Sequence, residues 1–217
     1  MNQRLAVFDC DGTLVDGQAG VCAAMDAAFA AHGLAAPDHH IVRRVVGLSL
    51  PQAIRLLLPE GDEVVRQGID AEYRRAFRAA REAGHLVEPL YAGIRETLDA
   101  LRGAGWALAV ATGKSDRGLE HCLATHGLSG HFISLQTADR HPSKPHPAML
   151  EAALFEAGVM PDQAVMIGDT AYDMTMAVNA GVRGLGVDWG YHTPAELADA
   201  GAAAVARDPA HLLELLQ

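Results

Sequence analysis

This sequence predicts an α/β fold in which a Rossmann-like parallel sheet is covered by helices on both faces. Three observations support the prediction. Six short apolar runs rich in β-branched residues are typical of buried strands. Segments of helical period separate these runs along most of the chain, and one long helical stretch follows the first run. The six predicted strands are 5–8, 106–111, 132–135, 164–167, 184–187 and 202–206.

The predicted helices begin and end at characteristic residues. Residues 93–102 carry apolar side chains on one face, and the helix after the second strand begins at Ser115, a residue type that caps helix starts. Two prolines open the next helix near residue 145, and Gly158 closes it. Thr193 is expected to cap a further helix that opens at a proline. This alternation of strand and helix favours a parallel sheet.

The chain departs from the alternation once. Residues 18–84 have a helical pattern throughout, broken only at turns that contain glycine or proline. A helical block inserted directly after the first strand indicates a separate module and not a second sheet. We therefore predict a core of residues 1–16 and 85–217 and an α-helical cap of residues 17–84.

The composition is that of a globular protein, with half of its 217 residues apolar and a net charge of −10. No apolar run approaches the roughly 20 residues of a membrane span, and the N-terminus shows no signal-peptide pattern, so we expect a cytoplasmic protein without a membrane partner. Three cysteines and eleven histidines lack the spacing of zinc ligands. The negative charge argues against a nucleic-acid partner. Either a monomer or a homodimer is compatible with the sequence.

Two aspartates close the first predicted strand, in the motif Asp9-Cys10-Asp11-Gly12-Thr13. Alternate residues of a strand point the same way, so both carboxylates can project toward one site, and Gly12 allows a sharp turn there. Two nearby carboxylates repel each other, which raises one pKa and favours a cation bound between them. Asp, Gly and Thr also occur in simple turns, but a similar placement at a strand end recurs later in the chain.

Lysine is scarce in this chain, with two lysines against fifteen arginines. Lys114 follows the second predicted strand, and Lys144 lies in a loop before a proline. A compact ammonium group suits a position where a point charge is wanted. A second carboxylate pair, Asp169 and Asp173, follows the fourth predicted strand. These segments predict one phosphoryl-transfer site at the carboxyl ends of the strands.

With these motifs the chain resembles the haloacid dehalogenase-like hydrolase superfamily, in the branch with a helical cap after the first strand. Within that branch it is similar to phosphoglycolate phosphatases and related phosphatases of small esters, over essentially the whole chain. The resemblance implies that Asp9 is a nucleophile that becomes an aspartyl phosphate, and that Asp11 is the general acid and base. It also implies catalytic roles for Thr112 and Lys144, and metal binding by the segment from Gly168 to Asp173.

The resemblance implies a Mg²⁺ cofactor, which the chemistry of the residues supports. A carboxylate attacks an anionic phosphate poorly unless a cation screens the repulsion. Magnesium prefers about six oxygen ligands and keeps several waters, so Asp9, the Asp11 carbonyl and Asp169 would suffice as protein ligands. Asp173 lies one helical turn after Asp169 and would hold the outer water shell or Lys144.

The substrate implied by the resemblance is a small phosphorylated metabolite, with phosphoglycolate as the first candidate. Thr112, Gly113 and Lys114 are expected to bind its phosphate oxygens at the start of a helix. In this family the cap closes over the leaving group.

The cap residues expected to face the leaving group are Arg43, Arg44, Gly47 and Ser49. One of the two arginines could bind a substrate carboxylate in a bidentate way. The other cap arginines are expected on a solvent-exposed helix face, together with Glu72 and Glu82; they are Arg66, Arg74, Arg75, Arg78 and Arg81.

Other functions compete with a phosphatase. A phosphomutase or a pyrophosphatase of the same superfamily is the enzyme alternative, although a phosphomutase needs a cap that excludes water. A phosphonatase would need a cap lysine, and residues 17–84 contain none. A dehalogenase lacks the second aspartate, whereas Asp11 is present. A regulatory binding protein on a phosphatase scaffold would lack a catalytic residue, and none is missing.

Overall fold

A computed structural model describes residues 3–217 and contains, within that range, one six-stranded sheet in which every strand is parallel to its neighbours. The order across the sheet is β3-β2-β1-β4-β5-β6. The strands are β1 Arg4–Phe8, β2 Trp106–Thr112, β3 Ser134–Thr137, β4 Ala164–Gly168, β5 Arg183–Val187 and β6 Ala204–Ala206. The predicted α/β fold class is confirmed.

Ten helices accompany these strands within residues 3–217. They are α1 Gln18–Ala31, α2 His39–Arg44, α3 Leu50–Leu57, α4 Glu63–Glu82, α5 Ile94–Gly103, α6 Asp116–Thr125, α7 Ala148–Ala157, α8 Ala171–Asn179, α9 Pro194–Asp199 and α10 Pro209–Leu215. One 3₁₀ turn, Pro161–Gln163, precedes β4.

Strand β1 lies at the centre of the sheet, between β2 and β4. Its residues 5–8 are fully buried, and alternate side chains pack into two separate cores. Ala6 and Phe8 contact the core formed with α5, α6 and α10, whereas Leu5 and Val7 contact the core formed with α7 and α8. Helices therefore cover both faces of the sheet, which leaves the carboxyl ends of the strands free to form a site.

The predicted helix boundaries agree with the structure. Ser115 accepts a hydrogen bond from the Gly118 amide at the start of α6, and Thr193 accepts one from the Glu196 amide at the start of α9. Gly158 closes α7 in a left-handed conformation, with φ of 66°. Helix α7 itself begins at Ala148, just after its prolines.

Two strands differ from their predicted positions. Strand β3 begins at Ser134, two residues later than predicted. Its last two residues, Gln136 and Thr137, are polar but buried, and they pair with the end of β2. The prediction followed the apolar residues before Ser134 and therefore placed the strand too early. Strand β6 begins at Ala204 because the Ala202 amide donates to the Leu197 carbonyl and ends α9 instead.

Residues 17–84 form the segment that we call the helical insertion, which contains α1 to α4 and, since all of it is described, no strand. Helices α1 and α4 pack along each other. The insertion has an apolar core of its own that includes Met25, Phe29, Ile54 and Ile69. Because this core does not merge with those of the sheet, the insertion folds around separate contacts.

The insertion is joined to the sheet through two paired segments, residues 14–16 and 89–91, which we call the neck. The Asp16 amide donates to the Pro89 carbonyl at 2.9 Å, and the Tyr91 amide donates to the Leu14 carbonyl at 3.0 Å. The outgoing and returning chains therefore run side by side.

The three cysteines, Cys10, Cys22 and Cys122, are free and buried, as expected for small core residues. The Sγ atoms of Cys10 and Cys122 lie 3.9 Å apart. None of the helices described within residues 3–217 is long and apolar enough to cross a membrane.

Candidate active site

Three buried carboxylates meet at the carboxyl ends of β1 and β4. Asp9 follows β1, and its amide donates to the Ile167 carbonyl of β4 at 2.9 Å. Asp169 follows β4, and Asp173 lies in the first turn of α8. One ligand oxygen from each carboxylate lies within 4.8 Å of the others, and all three side chains are 0% exposed. In the sequence, Asp9 lies 160 or more positions before the other two, which are one helical turn apart. The structure brings all three together.

Asp169 is held by donors from two loops. Thr13 Oγ1 donates to its Oδ1 at 2.8 Å, and the Tyr191 amide donates to its Oδ2 at 2.9 Å. Gly12, with φ of 82°, approaches so closely that a Cβ there would lie 2.1 Å from Asp169 Oδ2. Only glycine fits this position, which fixes the turn after β1 against the carboxylate.

Lys144 is fully buried between two of these aspartates. Its Nζ lies 2.9 Å from Asp9 Oδ1 and 2.6 Å from Asp173 Oδ1. Burial alone would lower the pKa of Lys144, but Asp173 and Asp9 raise it above its ordinary value. The ammonium group therefore stays charged. Thr170 Oγ1 donates to the other oxygen of Asp173, so both oxygens of that carboxylate are engaged.

Asp9 has one oxygen that is bound and one that is free. Its Oδ1 accepts from the Cys10 amide at 2.6 Å and faces Lys144, whereas its buried Oδ2 has no hydrogen-bond partner among residues 3–217. Burial raises the pKa of Asp9 to about 7, against the lowering effect of Lys144. Burial and the carboxylates of Asp173 and Asp9 raise the pKa of Asp169 well above its ordinary value.

Three carboxylates face one ammonium group in this cluster, so a further positive charge would be stabilised there. Carboxylate oxygens of Asp9 and Asp169 are suitable ligands for a hard cation such as Mg²⁺. Asp173 contributes to the cluster, but its engagement with Lys144 and Thr170 suits an outer role. The residues present therefore fit the expected divalent cation.

The Asp11 side chain lies apart from this cluster and pairs with the other lysine. Asp11 Oδ1 is 3.0 Å from Lys114 Nζ, which in turn donates to Glu88 Oε1 at 2.6 Å. Burial raises the pKa of Asp11, and Lys114 opposes that shift. The side chain of Asp11 is thus outside the metal cluster, and its carbonyl oxygen stays a predicted ligand.

Glu88 is a site residue that sequence reasoning missed. It lies just before the returning segment of the neck, and no spacing rule connects it to Asp11 or Lys114. Burial alone would lower the pKa of Lys114, whereas Asp11 and Glu88 are among the groups that raise it well above its ordinary value. The scarcity of lysine was the only signal, since a buried lysine requires an acidic partner.

The end of β2 supplies Thr112 and Gly113 to the same edge. Thr112 is buried, and its Oγ1 accepts from the Lys114 amide at 3.2 Å. A Cβ on Gly113 would lie 2.4 Å from the Leu48 carbonyl oxygen. The helical insertion therefore touches the core backbone directly at this point.

Gly47 and Ser49 belong to the loop of the insertion that makes this contact. Gly47 has φ of 96°, and a Cβ there would lie 3.7 Å from Asp9 Oδ2. The Ser49 amide donates to Ser143 Oγ of the core at 2.8 Å. The structure thus brings Gly47 close to the free oxygen of Asp9, whereas Ser49 contacts the core at Ser143.

Arg44 is held by the core through an ion pair with Glu196. Its guanidinium makes a two-pronged contact with Glu196, in which Nη1 donates to Oε2 at 2.8 Å and Nη2 contacts Oε1. This hydrogen bond, with donors from Thr193, lowers the pKa of Glu196 to about 2. Arg43 is also absent from the lining of the cavity beside Asp11. Binding of the leaving group by this arginine pair therefore stays a prediction.

A cavity of about 430 Å³ lies between the insertion and the core, with Asp11 in its wall. Its basic lining residues are Arg74, Arg78, Arg81, Lys114 and Arg117. The expectation that the α4 arginines form a solvent-exposed face agrees with the structure for Arg74, Arg75 and Arg78, which are exposed, although Arg74 and Arg78 also line the cavity. The expectation is wrong for Arg66 and Arg81, which are half-buried.

A parallel α/β sheet with aspartates and a buried lysine at its strand ends defines a hydrolase of the haloacid dehalogenase type. Residues 6–187 match the sequence model of the family described as "Haloacid dehalogenase-like hydrolase", and the chain belongs to this family.

Its relatives include enzymes with phosphatase names. The chain is 37% identical over 199 residues to "Probable phosphatase IndB" of Dickeya dadantii strain 3937. This match covers 89% of this chain and 84% of that protein. It is 31% identical to "Phosphoglycolate phosphatase" of Vibrio vulnificus strain YJ016, covering 87% of this chain and 85% of that protein. The crystal structure of a hydrolase from Pseudomonas syringae superposes with a TM-score of 0.87 at 26% identity, covering 99% of this chain and 98% of that one.

Proposed function

We propose that this haloacid dehalogenase-like phosphatase is a Mg²⁺-dependent hydrolase of phosphate monoesters that acts through an aspartyl phosphate at Asp9. The supporting observation is the buried Asp9 Oδ2, which has no partner among residues 3–217 although Lys144 and the Cys10 amide engage the other oxygen. A carboxylate held in this way presents one defined oxygen for attack. The phosphatase class itself follows from the family and the names of its relatives.

In the first step, Asp9 Oδ2 attacks the phosphorus and the bond from phosphorus to the ester oxygen breaks. Asp11 donates a proton to that departing oxygen. In the second step, Asp11 takes a proton from water as the water oxygen attacks the phosphorus, which releases phosphate and regenerates the Asp9 carboxylate. The raised pKa of Asp11 suits a group that must begin protonated and then act as a base.

Lys144 and Asp173 hold the charge balance at the nucleophile. The ammonium group of Lys144 neutralises Asp9 and is near enough to attract the negative charge of the transferring group. Asp173 keeps Lys144 in place and charged. Thr112, Gly113 and Lys114, at the end of β2, would bind the phosphate oxygens.

Asp9, the Asp11 carbonyl and Asp169 would hold the Mg²⁺ ion, and Asp173 would support its outer water shell. When bound, the ion supplies positive charge that screens the repulsion between a carboxylate and an anionic phosphate. Thr13 and the Tyr191 amide orient Asp169 for this task.

The helical insertion would act as a cap over a core of residues 1–16 and 85–217. Its loop at Gly47 lies over Asp9 and would limit the access of water to that residue. A small anionic metabolite fits this arrangement, and phosphoglycolate is the first candidate because several relatives carry that name.

A screen of small phosphomonoesters, with and without Mg²⁺, tests the proposal. We expect turnover that excess EDTA abolishes and Mg²⁺ restores. Asp9→Asn should eliminate turnover with every ester, whereas Asp11→Asn should slow alkyl phosphates by roughly 10² to 10⁴ and aryl phosphates less, because a phenol leaves without full protonation. Equal activity in EDTA would refute the metal assignment, and wild-type turnover by Asp9→Asn would refute covalent catalysis at Asp9.

A further inference from the structure

The cavity beside Asp11 is larger than the substrate named above requires. Its volume of about 430 Å³ falls within the roughly 300 to 1,000 Å³ of pockets that hold drug-sized ligands. A glycolate leaving group, with two carbons, would occupy only a small part of it. Asp11, the proposed proton donor to the leaving group, is in the wall of the cavity. The cavity is therefore on the side where the leaving group departs.

Much of the lining is apolar. The apolar lining residues from the insertion include Val21, Met25, Val45, Leu50, Tyr73 and Phe77. The rings of Tyr73 and Phe77 stack on each other with centroids 5.7 Å apart and planes inclined by 20°. An apolar or aromatic body of ring size would bury favourable area against such a surface.

Arginines form the second feature of the cavity. Arg74, Arg78 and Arg81 recur at intervals of four and three residues on α4, so they lie along one face of that helix. Arg74 is paired with Asp70 at 2.6 Å. Arg78 and Arg81, by contrast, have no carboxylate within 4.0 Å anywhere in residues 3–217.

Arg81 carries a buried donor that the protein leaves unused. Its Nε is buried and has no hydrogen-bond partner within residues 3–217. Its guanidinium carbon lies 5.8 Å from the centre of the Phe77 ring, so the charge borders the apolar part of the cavity. A buried N–H group without a partner is costly, and a ligand acceptor would satisfy it.

The charge of the cavity is opposite to that of the whole chain. Five basic residues line it, against the two acidic residues Asp11 and Asp139, whereas the chain has a net charge of −10. Arg74, Lys114 and Arg117 have carboxylate partners, which leaves Arg78 and Arg81 as the lining cations without one. These two guanidinium groups can attract an anion other than the phosphate that reacts.

We propose that this cavity binds the leaving group of a phosphate monoester whose apolar body, of aromatic-ring size, carries a second anionic group. Arg78 and Arg81 bind that second anion, and Tyr73 and Phe77 pack against the body. This inference rests on the proposed phosphatase function and specifies its substrate class. It assigns specificity to α4, in place of the arginine pair at the end of α2.

Three alkyl phosphates test the inference with matched leaving-group chemistry: phosphoglycolate, 4-(phosphonooxymethyl)benzoate and its neutral amide, 4-(phosphonooxymethyl)benzamide. We expect kcat/KM for the benzoate to exceed that for each of the other two by roughly tenfold or more, as a charge-assisted hydrogen bond predicts. Arg78→Ala and Arg81→Ala should each remove most of the advantage of the benzoate over the benzamide. Arg75→Ala is the matched control, because Arg75 is on the same helix but outside the cavity.

The ratio of the two benzyl substrates is measured in one sample, so a variant that is partly unfolded still gives a valid ratio. Equal losses on benzoate and benzamide, or a preference for phosphoglycolate over the benzoate, would overturn this inference and leave the phosphatase function standing. Absence of turnover with all three esters and in the wider ester screen, with Mg²⁺ present, would instead overturn the proposed function and the inference with it.

Discussion

Replacing Lys144 by methionine should damage stability and activity together. Lys144 is 1% exposed, and its ammonium group contacts Asp9 at 2.9 Å and Asp173 at 2.6 Å. Removing one partner of a buried ion pair costs about 3 to 5 kcal/mol because it leaves an uncompensated charge. Both aspartates keep another hydrogen-bond donor, the Cys10 amide for Asp9 and Thr170 for Asp173. We therefore expect the free energy of unfolding to fall by about 3 kcal/mol, the lower end of that range. That is a large part of a typical total stability of about 5 to 15 kcal/mol.

Urea unfolding in EDTA measures the loss of stability, with Arg183→Met as the control because Arg183 is an exposed cation outside the site. The difference in unfolding free energy between the wild type and the Lys144→Met variant should become smaller when Mg²⁺ is added, because the cation would bind carboxylates that the substitution leaves unpaired. We expect kcat to fall by roughly 10² or more, as for the loss of one electrostatic group at a transition state. A variant with a stability within about 1 kcal/mol of wild type in EDTA would refute the idea that Lys144 compensates these aspartates.

Two further substitutions test contacts of the site. Glu88→Gln should lower kcat roughly tenfold for alkyl phosphates and less for aryl phosphates, because Glu88 contacts Lys114, which pairs with the proposed proton donor Asp11. An equal loss for both ester types would assign Glu88 a structural role. Gly113→Ala should destabilise the protein by about 1 to 3 kcal/mol in thermal unfolding and lower kcat/KM, because its Cβ would lie 2.4 Å from a backbone oxygen of the insertion. Gly130→Ala, where a Cβ meets nothing within 4 Å, is the control, and equal behaviour of the two variants would contradict the contact.

The positions of Asp9 and Asp169 were predictable because they depend on local rules. Strand alternation and the shared edge of parallel strands suffice to bring Asp9 and Asp169 together. The pairing of Lys144 with Asp173 could be predicted from these rules together with the family resemblance. The polar end of β3 was harder to predict, because Gln136 and Thr137 are buried without the apolar pattern that marks a strand.

The contacts between the insertion and the core could not be predicted from sequence patterns. Arg44 finds Glu196 across 152 positions, and the face of α4 that meets the cavity depends on how the insertion docks. A helical period shows which residues share a face, but it does not show what that face meets. Arginines that suit a solvent-exposed surface by sequence can therefore line a cavity, as Arg78 and Arg81 do.

The paired segments of the neck make the insertion a continuous stretch of chain that leaves the sheet and returns to it at one place. Residues 14–16 and 89–91 are hydrogen-bonded to each other, so the chain leaves the sheet and returns to it at neighbouring points. None of the strand pairings of the described sheet lies within residues 17–84. A segment of different length and shape can be grafted between these two points while the register of β1 with β2 and β4 stays unchanged. If the insertion holds the leaving group as proposed, exchanging this segment between relatives would transfer substrate preference and leave the strand ends unaltered.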